Sequence, residues 1–232
     1  MIARHEAVVG SRFDALHQRF KRDVASDDPR LLGIVANLGP LAGRRVLDLG
    51  CGKGRFSRTL SALGAQVIGL DLSVAMLAEA MDMDRVRASA RRLPFGPASF
   101  DRVMAVEVFE HLAPRAVNQV CDEVRRVLRP GGTFVIVDKN LCSWNAQRPW
   151  LPSLAVKWID ERRGLWMYSP RENVRERWFR PGELSRRLGR WFSEVQVVYL
   201  LSPAEQGRFP FEYVAGTRLF ALWAARAPGG SA

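Results

Sequence analysis

The sequence predicts an α/β fold built on a largely parallel sheet, and three observations predict it. Val46-Leu47-Asp48-Leu49 runs directly into Gly50, Gly52 and Gly54 and then into Phe56, Leu60 and Leu63 at helical spacing, which reads as strand, tight turn, helix. Further apolar runs of strand length follow at 66–71 and 99–106, and a Gly131-Gly132 turn feeds another through Val137. The stretches between them repeat apolar residues with helical periodicity, and 232 residues suffice for one such domain with a full core.

The first turn is the most informative element. Gly50, Gly52 and Gly54 let the backbone take positive φ and bring main-chain N–H groups close to a ligand, while the following helix points its positive end at the same spot. Phosphate-binding turns are normally written G-x-G-x-x-G, with their acid on the next strand. Here Asp48 sits inside the turn, which suits a partly cationic ligand better than a pyrophosphate. The second strand, 66–71, ends in Asp71, where a ribose diol would be held. Taken alone, the turn also fits a tight βα connection with no ligand.

With these segments the chain resembles the class I S-adenosylmethionine-dependent methyltransferases, of the methyltransferase type 11 and ubiquinone-biosynthesis O-methyltransferase kind. Asp48-Leu49-Gly50-Cys51-Gly52-Lys53-Gly54 looks like their first motif and Asp71 like their ribose-binding acid. Leu93-Pro94-Phe95 with Phe100-Asp101 resembles the approach to strand four, and Leu128-Arg129-Pro130-Gly131-Gly132 the turn before strand five. The resemblance implies a Rossmann-like seven-stranded sheet of order 3-2-1-4-5-7-6, with strand seven antiparallel and helices on both faces. It also implies S-adenosylmethionine as cofactor, clamped at the carboxyl ends of strands one, two and four. On that basis Asp48, Gly50, Cys51, Gly52, Gly54, Asp71, Leu72, Ser89, Ala90 and Glu107 are the cofactor-binding candidates. One departure stands out: Ser89 takes the place where the family has an aspartate that accepts from the adenine amino group, so a weaker polar contact is expected there. A cofactor-binding scaffold without activity is the reading this departure leaves open.

Glu107-Val108-Phe109-Glu110-His111 follows strand four. Continued as a helix, it puts Glu107, Glu110 and His111 at i, i+3 and i+4 on one face, at the carboxyl end of the sheet. Such a group suits a general base or a hard divalent cation. In the resembled ubiquinone O-methyltransferases the Glu-x-x-Glu-His pattern goes with divalent metal, and in other small-molecule methyltransferases it occurs without one; the reading adopted is His111 with Glu110 as catalytic residues, with a metal at Glu107, Glu110 and His111 as the alternative. Methyl transfer rests largely on in-line positioning, and a base is needed where the acceptor carries a proton. No Asp/Asn-Pro-Pro-Tyr/Phe follows strand four and no Pro-Cys pair exists, which disfavours nucleobase amino and cytosine C5 methylation while leaving RNA ribose methylation open.

The remaining elements follow in order. Residues 1–40 carry two helical patterns, Phe13, Leu16, Phe20 and Leu31, Leu32, Ile34, Val35, Leu38, expected to cover the cofactor, and residues 41–232 form the methyltransferase domain. His17 reads as a solvated or packed helix residue. Ser73 caps a helix through Met81, 85–88 is a short third strand, and Val117, Val120, Val124 and Val127 mark a packing helix. An insert over about 140–180 is expected to roof the acceptor site as a lid. Within it Leu151, Leu154, Ala155, Trp158 and Ile159 form a helical stripe ended by Gly164, with Lys157 on the opposite side. Trp144, Trp150, Trp158, Trp166 and Trp178 interleave with Arg148, Lys157, Arg162, Arg163, Arg171, Arg175, Arg177 and Arg180. That composition suits packing as a lid, an anionic membrane interface or an aromatic acceptor pocket, and also stacking on unpaired bases. A helix starts near Pro181, strands at 195–201 and 218–225 pair antiparallel, and 227–232 is expected to fray.

The net charge of +11 draws anionic partners or serves solubility. Cys51, Cys121 and Cys142 have no metal-ligand spacing and read as free thiols. No apolar stretch is long enough to span a bilayer and the first residues lack a secretory core, so a cytoplasmic chain is expected, with peripheral membrane contact through 144–180. The function expected is S-adenosylmethionine-dependent methyl transfer to a small, lipophilic or aromatic acceptor at oxygen; an RNA methyltransferase using the basic surface is the alternative, and nucleic acid the less favoured partner.

Overall fold

The computed structural model describes residues 2–165, 167, 168 and 174–229. Its main sheet has seven strands: β1 (Arg45–Leu49), β2 (Gln66–Asp71), β3 (Asp84–Arg87), β4 (Phe100–Val106), β5 (Leu128–Lys139), β8 (Glu194–Leu200) and β9 (Phe220–Arg226). They lie in the order β3-β2-β1-β4-β5-β9-β8. Pairing is parallel from β3 to β5 and antiparallel for β5 with β9 and β9 with β8. The two extra strands, β6 (Trp144–Asn145) and β7 (Arg148–Pro152), form a separate hairpin in the insert. With that hairpin set aside, the order is the expected 3-2-1-4-5-7-6.

Both faces of the sheet are buried, because strand residues alternate between two cores. Leu47, Leu49, Val103, Ala105, Phe134 and Ile136 pack against α5 (Ala116–Val127) and α7 (Pro181–Leu188). Val46, Met104, Val106, Val135 and Val137 pack against α2 (Pro29–Leu38) and α3 (Arg55–Ala62). The carboxyl ends of β1, β2 and β4 therefore open at one edge. There α1 (Ile2–Leu16) crosses: Asp14 Oδ1 accepts from the hydroxyl and amide that begin α4 (Val74–Ala78), namely Ser73 Oγ at 2.6 Å and Ala75 N at 2.9 Å.

Several expectations are corrected. The helix after Ser73 ends at Ala78, and Met81 is exposed. The segment after strand four is no helix but a single 3-10 turn, Phe109–His111, with Glu107 before it at φ +56°. The amide of Phe109 donates to Asp138 Oδ2 at 2.9 Å, which fixes that turn against β5. Residues 227 and 228 do not fray: Ala227 is buried and its amide donates to Gly132 O, while Gly131 N donates to Pro228 O. Residues 230–232 lie outside the described residues.

The insert differs most. Its helix α6 (Ser153–Arg162) presents the opposite face to the domain: Lys157 is 5 % exposed, whereas Leu154 and Trp158 are 44 % and 52 % exposed. Lys157 pairs with Glu161 one turn on, which lets the ammonium lie against the domain. Leu151 belongs to β7 and not to the helix. Trp166 and Arg171 lie outside the described residues.

Candidate active site

A pocket opens where the glycine turn, α1, the 3-10 turn and the insert meet. Gly50, Gly52 and Gly54 have φ of +68°, +54° and +79°, so each occupies the left-handed region. At Gly50 a Cβ would stand 2.4 Å from Val108 Cγ2, so this glycine is required by contact as well as by conformation. Asp71 organises the turn from the neighbouring strand, its Oδ2 accepting from Gly52 N and its Oδ1 from Ser73 N, both at 2.8 Å. Each oxygen keeps further accepting capacity, and Asp71 and Leu72 both line the pocket. Asp48 is buried and accepts from Ser57 Oγ of α3 at 2.5 Å. Burial pushes its carboxyl up to about 7, against the Ser57 hydrogen bond and with help from the nearby Asp71 charge. Cys51 also faces the pocket, but burial pushes its thiol up, so it is an unreactive wall residue.

At the wall that the resemblance assigns to adenine, Ala88 and Ala90 line the pocket while Ser89 is turned to α1. Its hydroxyl donates to Glu6 Oε1 at 2.7 Å and accepts from Arg91 N at 3.1 Å. Glu6 in turn accepts from Arg91 Nε at 2.6 Å and Nη2 at 2.5 Å. Burial raises the Glu6 carboxyl, but Arg91 and Ser89 outweigh it and hold it below the usual range. A carboxylate thus stands beside the position of the missing aspartate, brought by α1 and not by the strand that leads to Ser89.

The charged end of the pocket draws on α2, α3, the 3-10 turn, β5 and the insert. Glu107 Oε1 accepts from Arg30 Nη1 at 2.6 Å and Arg55 Nη2 at 3.1 Å. Burial pushes the Glu107 carboxyl up, but Lys139, Arg30 and Arg55 together hold it down. Glu110 is 1 % exposed, and its Oε1 accepts from Lys139 Nζ at 2.5 Å. Burial raises its carboxyl well above the ordinary value despite that lysine, with Asp138, Glu176 and Glu107 adding like charge. Glu110 Oε2 and Asp138 Oδ1 are buried with no hydrogen-bond partner among the described residues.

His111 is buried between α1 and the insert. Phe13 meets its ring edge-on at 5.1 Å between centroids, and Tyr168 Oη lies 3.0 Å from Nδ1. Its Nε2 is 3.5 Å from Glu110 Oε1. Burial lowers the imidazole to about 4, so it is neutral at physiological pH. Glu107, Glu110 and His111 do come together in one pocket, as the sequence led us to expect, though by a tight turn. The compact donor set is a different one: Glu110, His111 and Glu176 hold ligand atoms within 4.8 Å of one another. Lys139 Nζ already lies among these carboxylates, so the residues as arranged do not fit a divalent ion. Glu6, Arg30, Lys139, Tyr168 and Glu176 are site residues that sequence reasoning missed. They lie far along the chain from the groups they meet, 77 residues for Arg30 and Glu107 and 57 for Tyr168 and His111, and no local pattern marks them.

Comparison with known proteins agrees with this geometry. Residues 47–136 match the family described as the methyltransferase domain. The chain is 38 % identical over 126 residues to a ubiquinone biosynthesis O-methyltransferase of Paracidovorax citrulli, a match covering 49 % of this chain and 52 % of that protein. The chain spans about half the length of the relatives it matches. Among solved structures, an S-adenosylmethionine-dependent methyltransferase from Mesorhizobium loti superposes with a TM-score of 0.64 at 24 % identity, over 89 % of this chain and all of that one (100 %). The [4+2]-cyclase SpnF superposes with a TM-score of 0.67 at 18 % identity, over 97 % of each chain, so the fold by itself leaves the reaction open. The pocket residues fit S-adenosylmethionine: Asp71 would hold its ribose, Asp48 and the glycine turn its amino-acid end, and the clash at Gly50 marks a place where only backbone is tolerated. Residues 47–136 thus match the methyltransferase-domain family, and the seven-stranded sheet and this pocket agree with the class I S-adenosylmethionine-dependent methyltransferase fold.

Proposed function

We propose that the chain transfers a methyl group from S-adenosylmethionine to an oxygen of a small, lipophilic or aromatic acceptor. The observation that carries this reading is the neutral, buried imidazole of His111 in the same pocket as Asp48 and Asp71. Bound S-adenosylmethionine supplies an electrophilic methyl group, so the chain's own task is to seat the acceptor in line and take its proton. His111 is the group for the proton: it is uncharged, it lines the pocket, and Tyr168 at Nδ1 fixes its ring. Phe13, Val9 and Met167 make the neighbouring wall apolar, which suits a ring or an isoprenoid better than a sugar. The relatives named for ubiquinone biosynthesis support the same class. Many cations, among them Arg30, Arg55, Arg91 and Lys139, are engaged in internal ion pairs, which weakens the case for RNA.

The deciding experiment is calorimetric titration with S-adenosylhomocysteine followed by turnover assays on catechols and polyprenyl phenols. Saturable binding together with methyl ether formation is expected. Binding without methyl transfer to any phenolic acceptor would overturn the acceptor assignment, and no binding would overturn the whole reading.

Asp48 makes the cofactor step pH-dependent. With a carboxyl near 7 in the free protein, it is ionised above that pH and protonated below it. Affinity for the cationic sulfonium is therefore expected to fall about tenfold per unit as pH drops below 7, as a one-proton linkage requires. Titrations at pH 6 and pH 8 check this, and equal affinity at both would remove Asp48 from the site.

The lipophilic class is further supported by the outer face of the insert. Trp150, Leu154, Trp158 and Leu165 are 69 %, 44 %, 52 % and 68 % exposed, and Arg162 stacks on the Trp158 ring at 3.9 Å. Arg208 donates to Ala146 O at 2.7 Å, tying in the loop that carries Phe209 and Tyr213, which are 74 % and 82 % exposed. Apolar side chains with arginine on a chain of net charge +11 suit an anionic bilayer surface. No helix among the described residues is long and apolar enough to cross a membrane. The chain is expected to sediment with phosphatidylglycerol vesicles, and replacing Trp150 and Trp158 by alanine should weaken that by at least about tenfold. Equal recovery with and without vesicles would overturn the lipid contact.

A further inference from the structure

The acidic end of the pocket holds a cation of its own. Lys139 leaves the end of β5 beside Asp138, and its side chain is 14 % exposed. Its Nζ lies 2.5 Å from Glu110 Oε1, 3.7 Å from Glu176 Oε2 and 3.8 Å from Glu107 Oε2. Each contact comes from a different part of the chain: Glu107 follows β4, Glu110 lies in the 3-10 turn, and Glu176 belongs to the insert. One ammonium thus draws three carboxylates together, which is the role a hard metal ion would otherwise fill. Two further cations, Arg30 and Arg55, close Glu107 from the other side.

A divalent ion bound to Glu110 would sit about 2.1 Å from its oxygen, as magnesium does. The same oxygen already accepts from Lys139, so the two positive centres would be neighbours in a site with little water to screen them. Lysine has no lone pair while protonated and cannot join the coordination shell. The three carboxylates also keep the ammonium charged, since they oppose the effect of burial and raise its pKa.

We propose that Lys139 is the resident cation of the Glu107, Glu110 and Glu176 cage and that it excludes divalent metal from it. The Glu-x-x-Glu-His pattern in this chain then organises an ion-paired floor for the pocket and not a metal centre. Lys139 is a positioning residue: it holds Glu110, whose Oε1 stands 3.5 Å from His111 Nε2.

The test reads metal and not turnover, so it is independent of the acceptor assignment. Manganese(II) is titrated into the protein and the six-line electron paramagnetic resonance signal of the free ion is followed. The wild-type chain is expected to leave that signal at full intensity. Lys139→Met removes the ammonium and keeps a side chain of similar reach. It is expected to deplete the signal by one ion per chain, at least tenfold tighter than wild type, and Glu110→Gln added to it should abolish the gain. Far-ultraviolet circular dichroism and thermal unfolding establish that each variant is folded, and Lys139→Gln, which keeps a hydrogen-bond donor toward Glu110, serves where the methionine variant is not. Depletion by the wild-type chain at one equivalent, reversed by Glu110→Gln, would overturn the proposal. So would a folded Lys139→Met or Lys139→Gln variant that leaves the free ion untouched, because the lysine would then not be what keeps metal out.

Discussion

His111→Ala is expected to lower kcat by about 10²–10⁴-fold, the usual contribution of a positioned proton acceptor, while S-adenosylhomocysteine binds nearly as well as before. The split follows from where the imidazole sits. Its side chain contacts Phe13, Tyr168 and Glu110, whereas the cofactor is expected at Asp48, Asp71 and the glycine turn. Burial keeps the ring neutral down to about 4, so the acid limb of the kcat profile is expected well below the 6.5 of a free histidine. The sign is fixed by the chemistry: the neutral form accepts the proton, so activity is retained above that pKa and lost as pH falls through it. His111→Ala should abolish this limb along with the rate. A variant that loses cofactor affinity and kcat in parallel would instead make His111 part of the cofactor wall.

Gly50→Ala is expected to cost about 2–5 kcal/mol of stability, as the sum of a left-handed φ in a residue with Cβ and of overpacking. The φ is +68° and the new Cβ would stand 2.4 Å from Val108 Cγ2. The two terms separate experimentally. Val108→Ala in the Gly50→Ala background removes the methyl that clashes and should recover the packing part, leaving the conformational part of about 1–2 kcal/mol. Chemical denaturation of the four proteins in the cycle measures the coupling. Additive effects would mean that the turn relaxes away from Val108. Cofactor affinity should fall in the single variant as well, because Gly50 lines the pocket with its backbone.

The sheet was legible in the sequence because its signals are local. Apolar runs at 66–71 and 99–106, helical repeats between them and the glycine turn each need only a few neighbouring residues, and the two-core burial of Leu47 and Leu49 against Val46 follows from the strand period. The acids of the turn and of strand two were legible for the same reason. The charged cage was not, since Arg30, Lys139 and Glu176 meet Glu107 and Glu110 only through the fold. A Glu-x-x-Glu-His pattern read as a helix face named three residues that line one pocket, but through the wrong geometry: Glu107 at φ +56° lies outside any helix. The insert misled in the other direction. Its apolar stripe suggested the packed side, yet the interaction of Lys157 with Glu161 allows a lysine to lie inward while Trp158 lies outward. Ser89, read as the adenine partner, is engaged by Glu6, a contact spanning 83 residues.

The attachment of α1 has a consequence for ligand traffic. Beyond the small apolar cluster of Val8, Val9 and Phe13, this helix is fastened over the pocket by polar ties: Glu6 to Arg91 and Ser89, Asp14 to Ser73 and Ala75, and Arg12 Nε to Met167 O at 2.5 Å. A bar held by ion pairs can be unlatched without disturbing the two cores beneath it. Residence times of bound molecules are then set by a fastening whose strength depends on dissolved salt. Raising ionic strength would quicken their escape while the melting temperature of the sheet stays put, so throughput and robustness are governed by separate parts of the same chain.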